Sequence, residues 1–221
     1  PETARLRDVA FSAGVFTNIS HEHLEFHGTF ERYREDKAGL FRKLRSGPKP
    51  GSPNRPFAVI NSDDPEARFF ILAAESADAD VLTYSMDKPA ATCRIVSFSE
   101  GERHIDFSLV FRGDVFPGRL NMTGRFNLEN FMSAFLTATR LETTTPRRFV
   151  EAARNLRPVP GRMNMIDAGQ PFRVIVDYAH TPNSFSRLLP ELKEQTSGRL
   201  IVIFGSAGER DKEKRHLQGE I

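Results

Sequence analysis

The stretches RVIVDYAHTP (173–182) and RLIVIFGSAGERD (199–211) each carry a continuous apolar run that ends in a polar loop. Hydrophobicity that runs on without alternating marks a strand covered on both faces, as in a parallel sheet. Between the two runs, NSFSRLLPELKEQ (183–195) predicts a helix. Strand, helix and strand make one βαβ unit, the crossover that parallel strands require. One such unit is too small to stand alone. It predicts part of a larger parallel sheet and constrains the chain to the α/β class.

The preceding residues alternate elements in the same way. AGVFTNI (13–19) predicts a buried strand. In TFERYREDKAGLFRKL (29–44), Phe30, Tyr33, Leu40, Phe41 and Leu44 recur at helical spacing, and Glu31 suits the first turn. RSGPKPGSPNRP (45–56) predicts a surface loop. FAVINSDDPEARFFILAAES (57–76) predicts a strand, a polar turn at Asp63 and Asp64, then a helix; DVLTYSM (80–86) predicts another strand. From about Ala91 to Met122 the period changes to two, as in Ile105, Phe107 and Leu109, which predicts antiparallel hairpins. Helices follow at 124–141 and 145–156. The two close prolines of RPVPGRMNMIDAGQPF mark a domain junction, giving domains 1–157 and 158–221. The expected fold is a mostly parallel α/β sheet with added antiparallel hairpins, followed by the start of a second, Rossmann-like domain.

Composition narrows the function classes. With 39% hydrophobic and 27% charged residues over 221 positions, the chain can bury a proper core. No apolar run approaches the roughly 20 residues needed to cross a bilayer, so no membrane association is expected. The single cysteine, Cys93, excludes an internal disulfide framework and sets cytoplasmic residence as the expectation. A net charge of +2 gives no reason to expect a nucleic-acid partner.

Several residues invite chemistry. Lys37 falls four residues after Tyr33 and four before Phe41, on the apolar stripe of its helix. Either it snorkels out along its stem, or it turns toward a site, where a neutral amine can add carbon dioxide to give a carbamate with oxygen ligands suited to Mg²⁺. His21, His23 and His27 lie within seven residues, but no second Cys or His cluster follows at zinc spacing. Such histidines orient turns, or one of them shares a hard cation with oxygen ligands. Asn127 and Asn130, at i and i+3 near a helix start, either cap the helix or read a purine edge. Asp177, His180 and Thr181 follow a strand at its carboxyl end, where open α/β sheets bind ligands; the plainer reading is turn chemistry before Pro182. Gly205 and Gly208 precede Arg210, Asp211, Lys214 and Arg215, which suits a phosphate or carboxylate, or simply a solvated helix start.

Taken in order, these stretches resemble the Mur ligase family. The resemblance rests on FTNISHEHLEFHGTFERYREDKAGLF, GRFNLENFMSAFLTA, VPGRMNMI, VDYAHTP and GSAGERDKEKR, which run from about residue 15 to the end. The last two point to the branch that makes UDP-N-acetylmuramoyl-tripeptide. The resemblance implies an ATP-dependent amide ligase of peptidoglycan synthesis. ATP phosphorylates the carboxylate of UDP-MurNAc-L-Ala-D-Glu, and a diamino acid amine attacks the acyl phosphate to give amide, ADP and phosphate. It assigns Mg²⁺ to His23 and a carbamylated Lys37, and a catalytic part to Lys37 and His180. Asn127, Asn130, Arg162 and Asp177 fall to the nucleotide, reached from both domains. Thr17, Asn18, His27 and Arg210 fall to the substrate side, with His21 and His27 supporting substrate or loop geometry.

The match has departures. Glu22 and Glu25 replace aspartates, Asn164 replaces a glutamate, and Ser206, Ala207 and Glu209 differ in the last stretch. No G-x-x-G-K-[ST] phosphate loop occurs in the chain. The expectation is therefore an internal stretch of a longer ligase, inactive by itself. Two alternatives of other classes are a non-catalytic nucleotide-binding relative and a related ligase of the polyglutamate or cyanophycin type.

Overall fold

The computed structural model describes residues 9–20, 27–45, 55–206 and 213–221. Among the described residues, 9–19 and 27–157 form one compact unit, and Ser20 with the described residues from Pro158 on forms the other.

The first unit is built on a six-stranded sheet in the order β1 to β6. Strands β1 (Ala13–Phe16), β2 (Phe57–Asn61) and β3 (Asp80–Ser85) are parallel, and β4 (Cys93–Glu100) joins β3 in parallel at Tyr84 and Cys93. Strands β4, β5 (Ile105–Phe111) and β6 (Asp114–Leu120) then pair antiparallel. The change of hydrophobic period near Ala91 is this change of sheet type. Every residue of β2 is buried, because helices cover both of its faces. In β5, Ile105, Phe107, Leu109 and Phe111 are buried while the residues between them are half-exposed.

Helices α1 (Phe30–Phe41) and α2 (Ala67–Glu75) pack with one core; α3 (Arg125–Arg140) and α4 (Pro146–Ala152) pack with the other. Alternate residues of β2 feed the two cores: Ala58 and Ile60 join Phe16, Phe41 and Phe70, and Phe57 and Val59 join Met132 and Phe135. The phenylalanines fill these cores ring against ring. Phe16 stacks on Phe70 at 3.9 Å between centroids, and Phe135 meets Phe111 edge-on at 5.2 Å. Such pairs contribute about 0.5–1.5 kcal/mol each beyond the area they bury. Cys93 is enclosed in the second core, and burial pushes its thiol up, so it behaves as a small apolar side chain.

One glycine is required by close packing. A Cβ on Gly118 would lie 2.5 Å from Phe107 Cζ and 2.7 Å from Val150 Cγ1, both on buried residues. Gly118→Ala is therefore expected to destabilise the first unit by about 1–3 kcal/mol, the usual cost of overpacking. A urea melt checks this. An unchanged midpoint would mean that Phe107 and Val150 give way without cost.

The second unit holds β7 (Asn164–Ile166) and β8 (Val174–Val176), which pair antiparallel, then α5 (Pro182–Glu194) and α6 (Glu213–Glu220). The Thr181 and Ser184 side chains form a capping box on α5. Two expectations are corrected here. The stretch read as a junction contains strand β7, and the second strand of the βαβ unit is not formed. Residues 201–206 make no ladder, and Ile201 and Ile203 are 71% and 95% exposed. An apolar run states what a segment would bury, whereas a strand also needs a neighbour's N–H and C=O groups. Strand β8 takes its ladder from β7 instead. Among the described residues, no helix is long and apolar enough to cross a membrane.

Candidate functional site

In the first unit Thr17 and Asn18 lie at the carboxyl edge of the parallel strands, where α/β sheets place ligands. Thr17 and Asn18 follow β1 directly and are exposed. The turn after β2 holds them from the side. Asn61 Nδ2 donates to the Thr17 carbonyl at 2.9 Å, and the Ile19 N–H donates to Asp64 Oδ2 at 3.1 Å. On the other side the Met86 N–H donates to Asp63 Oδ2 at 2.6 Å, and the Ser85 hydroxyl donates to Asp63 Oδ1. Sequence reading took Asp63 and Asp64 only as a polar turn and passed over Asn61. The available signal was a run of polar residues at the carboxyl end of a fully apolar strand.

His21, His23 and Arg210 lie outside the described residues. His27 is described: its Nδ1 lies 2.8 Å from Asp36 Oδ2, and its ring lies 4.8 Å from that of Tyr33. Lys37 Nζ also lies over the Tyr33 ring, 5.4 Å from its centroid. The buried residues of α1 are Tyr33, Ala38 and Phe41, and Lys37 is exposed. The expectation of a costly position on the apolar stripe is corrected. The lysine is exposed although Tyr33 and Phe41 on either side of it are buried, because its long side chain carries the ammonium out beside the Tyr33 ring. Exposure still leaves Nζ accessible to carbon dioxide. Among the described residues, no group of three or more His, Cys, Asp or Glu could hold a metal ion. Of the two residues expected to bind the metal, Lys37 is described and exposed, and His23 lies outside the described residues.

The start of α3 reaches the same edge. Arg125 pairs with Asp87, just past β3, at 3.0 Å, and the Gly124 N–H donates to Glu100 Oε1 at 2.6 Å. Gly124 has φ 93°, a conformation that favours glycine. Asn127 Nδ2 donates to the Thr123 carbonyl at 2.7 Å, which gives it a turn-forming role. Asn130, one turn along, is exposed. The two asparagines therefore differ: one is engaged locally, the other faces solvent.

In the second unit the structure brings together two stretches far apart in sequence. Asp177 Oδ2 accepts the Met163 N–H at 2.8 Å and Oδ1 accepts the Ala179 N–H at 2.7 Å. Arg162 lies over the Tyr178 ring at 4.8 Å, and His180 Nδ1 lies 2.8 Å from the Tyr178 carbonyl. Sequence reading missed Gln218, which is buried. Its Nε2 donates to the His180 carbonyl at 2.7 Å, and its Oε1 accepts from the Ser206 hydroxyl at 2.6 Å. Nothing in its local pattern distinguishes it from any polar residue of an exposed helix.

This arrangement has close relatives. Residues 1–138 match the family model of the Mur ligase middle domain, and residues 161–221 match that of the Mur ligase glutamate ligase domain. The chain is 40% identical over 220 residues to a UDP-N-acetylmuramyl-tripeptide synthetase of Borreliella afzelii, covering all of this chain and 41% of that protein. It is 43% identical over 219 residues to a protein of the same name from Roseiflexus sp., covering 98% of this chain and 42% of that one. A solved structure named as UDP-N-acetylmuramoyl-L-alanyl-D-glutamate–2,6-diaminopimelate ligase superposes with a TM-score of 0.70 at 33% identity, over 98% of this chain and 42% of that one. The chain thus spans less than half the length of these relatives. With the middle-domain model matched over more than half its residues, the chain belongs to the Mur ligase family.

Proposed function

We propose that this chain is part of an ATP-dependent amide ligase of peptidoglycan precursor synthesis, working in the cytoplasm. Its substrates are UDP-MurNAc-L-Ala-D-Glu and a diamino acid. The observation that carries the reading is identity of 40% or more, over 98–100% of the chain, to proteins named tripeptide synthetases. Residues 1–157 are assigned to the central domain and 158–221 to the start of the C-terminal domain.

When bound, Mg²⁺ neutralises phosphate charge as the phosphoryl group moves from ATP to the substrate carboxylate. His23 and a carbamylated Lys37 supply ligands to it in this reading. Thr17, Asn18, His27 and Arg210 orient the muramoyl substrate. Asn130 faces the adenine, with Asn127 shaping the turn before it. Arg162 and Asp177 contact the nucleotide from the second unit, and His180 orders the loop beside them.

The test uses the complete reading frame that contains this chain. ADP release is expected only when ATP, Mg²⁺, the muramoyl dipeptide and a diamino acid are all present. Comparing meso-diaminopimelate with lysine identifies the amino acid. ADP release without dependence on the muramoyl substrate would overturn the reading. The 221-residue chain by itself is expected to stay at background, since it contains no G-x-x-G-K-[ST] loop to cradle the β- and γ-phosphates. Substrate-dependent turnover by the isolated chain would show that the phosphates are held in some other way.

A further inference from the structure

The turn after β2 makes more long-range connections than a strand-to-helix turn requires. Its first residue, Asn61, is buried and donates to the Thr17 carbonyl. Asp64 accepts two backbone N–H groups, from Glu66 at 2.8 Å and from Ile19 at 3.1 Å. The first bond is local and caps the turn. The second joins residues 45 apart in sequence. Glu66 then pairs with Arg34 of α1 at 2.5 Å. Arg34 lies three residues before Lys37, on the neighbouring surface of that helix. The Arg34 guanidinium also rests on the Phe69 ring of α2 at 4.2 Å. One short turn therefore ties down two separate segments: Thr17–Ile19 at the end of β1, and the helix that carries Lys37.

We infer that the Asn61–Glu66 turn is the positioning element of the ligase site. Asp64 fixes the Thr17–Ile19 segment, and Glu66, through Arg34, fixes α1 relative to it. The inference rests on the proposed ligase reading, because those two segments carry Thr17, Asn18 and Lys37. A turn that only led from β2 into α2 would need the local Asp64 bond to Glu66 and nothing more. The bonds to Thr17, Ile19 and Arg34 set relative placement, and displacing reacting groups by about 1 Å costs roughly a hundred-fold in rate.

The experiment compares the complete wild-type ligase with Asp64→Ala, Asp64→Asn and Asp106→Ala. Asp106 pairs with Arg119 on the exposed face of the β5–β6 hairpin, away from this turn, and serves as the control. Each protein is measured for kcat and KM, for thermal midpoint, and for amide hydrogen exchange in the peptide covering 17–19. Asp64→Ala is expected to lower kcat roughly ten- to hundred-fold with KM changed by less than about three-fold. Exchange at 17–19 should rise, and the variant should still melt cooperatively. Asp64→Asn keeps one acceptor oxygen and should fall between wild type and Asp64→Ala; Asp106→Ala should match wild type. Should Asp64→Ala fail to fold, the same readouts on Asp64→Asn decide. A wild-type enzyme that makes no ADP with its three substrates overturns the ligase reading, and this inference with it. An active wild type overturns this inference alone in either of two cases: the Asp64 variants keep their kcat, or they lose it without faster exchange at 17–19.

Discussion

Lys37→Ala in the complete ligase is expected to lower turnover by more than roughly a hundred-fold. Loss of a residue that merely orients a metal ligand costs about 10–100-fold, and loss of a ligand should exceed that. The structure sharpens the comparison, because Lys37 is exposed and rests on Tyr33, as a solvated lysine does. An exposed lysine with no other task changes stability by no more than about 0.5 kcal/mol when replaced. Lys43, also exposed, supplies that control in the same enzyme. The carbamate reading makes two further demands. Short carboxylic acids should partly restore the Ala variant, since they can offer the missing oxygens. Lys37→Arg should stay inactive, since its charge is kept but no carbamate forms. Steady-state ADP release measures all three. Near-normal turnover in Lys37→Ala would remove Lys37 from the site and leave it a snorkelling side chain.

Asp177→Ala is expected to raise the Michaelis constant for ATP roughly ten- to hundred-fold, the worth of a charge-assisted hydrogen bond of about 1.5–3 kcal/mol. The constant for the muramoyl substrate should move less. The geometry adds a second consequence. The Asp177 carboxylate also joins Met163 to Ala179, so its removal loosens the segment that carries Arg162. Asp177→Asn separates the two effects. It keeps an oxygen for one backbone N–H and so part of the loop contact, but loses the charge that favours ribose hydroxyl donors. Titration with ATP at saturating muramoyl substrate measures both variants. An ATP dependence unchanged in both would leave Asp177 as a loop-shaping residue only, and nucleotide contact would fall to other groups.

Much of the first unit was legible because its periodicities are strong. The FAVIN run marked a strand, which the structure buries on both faces, and the alternation of Ile105, Phe107 and Leu109 marked antiparallel hairpins. The helix over Phe30–Phe41 and the polar turn at Asp63 and Asp64 were readable from spacing and composition. The ordered motifs pointed to the family before any coordinate was known. The placement of Lys37 was not legible. On the helix Lys37 falls in angle between the buried Tyr33 and Phe41, so spacing places it on the stripe, yet its long side chain ends in solvent beside the Tyr33 ring, which spacing does not encode. The second unit was harder still. The apolar run at 200–204 was read as a strand, yet β8 found its partner in Asn164–Ile166, within the stretch read as a junction. The sequence by itself determined which segments are apolar, at what period, and which motifs stand in which order. Only the tertiary structure decided that Asn61, Asp64 and Glu66 hold Thr17, Ile19 and Arg34, and that Gln218 joins His180 to Ser206. Hydrogen bonds between residues dozens of positions apart leave no local period, because each depends on where two segments are packed and not on the neighbours of either.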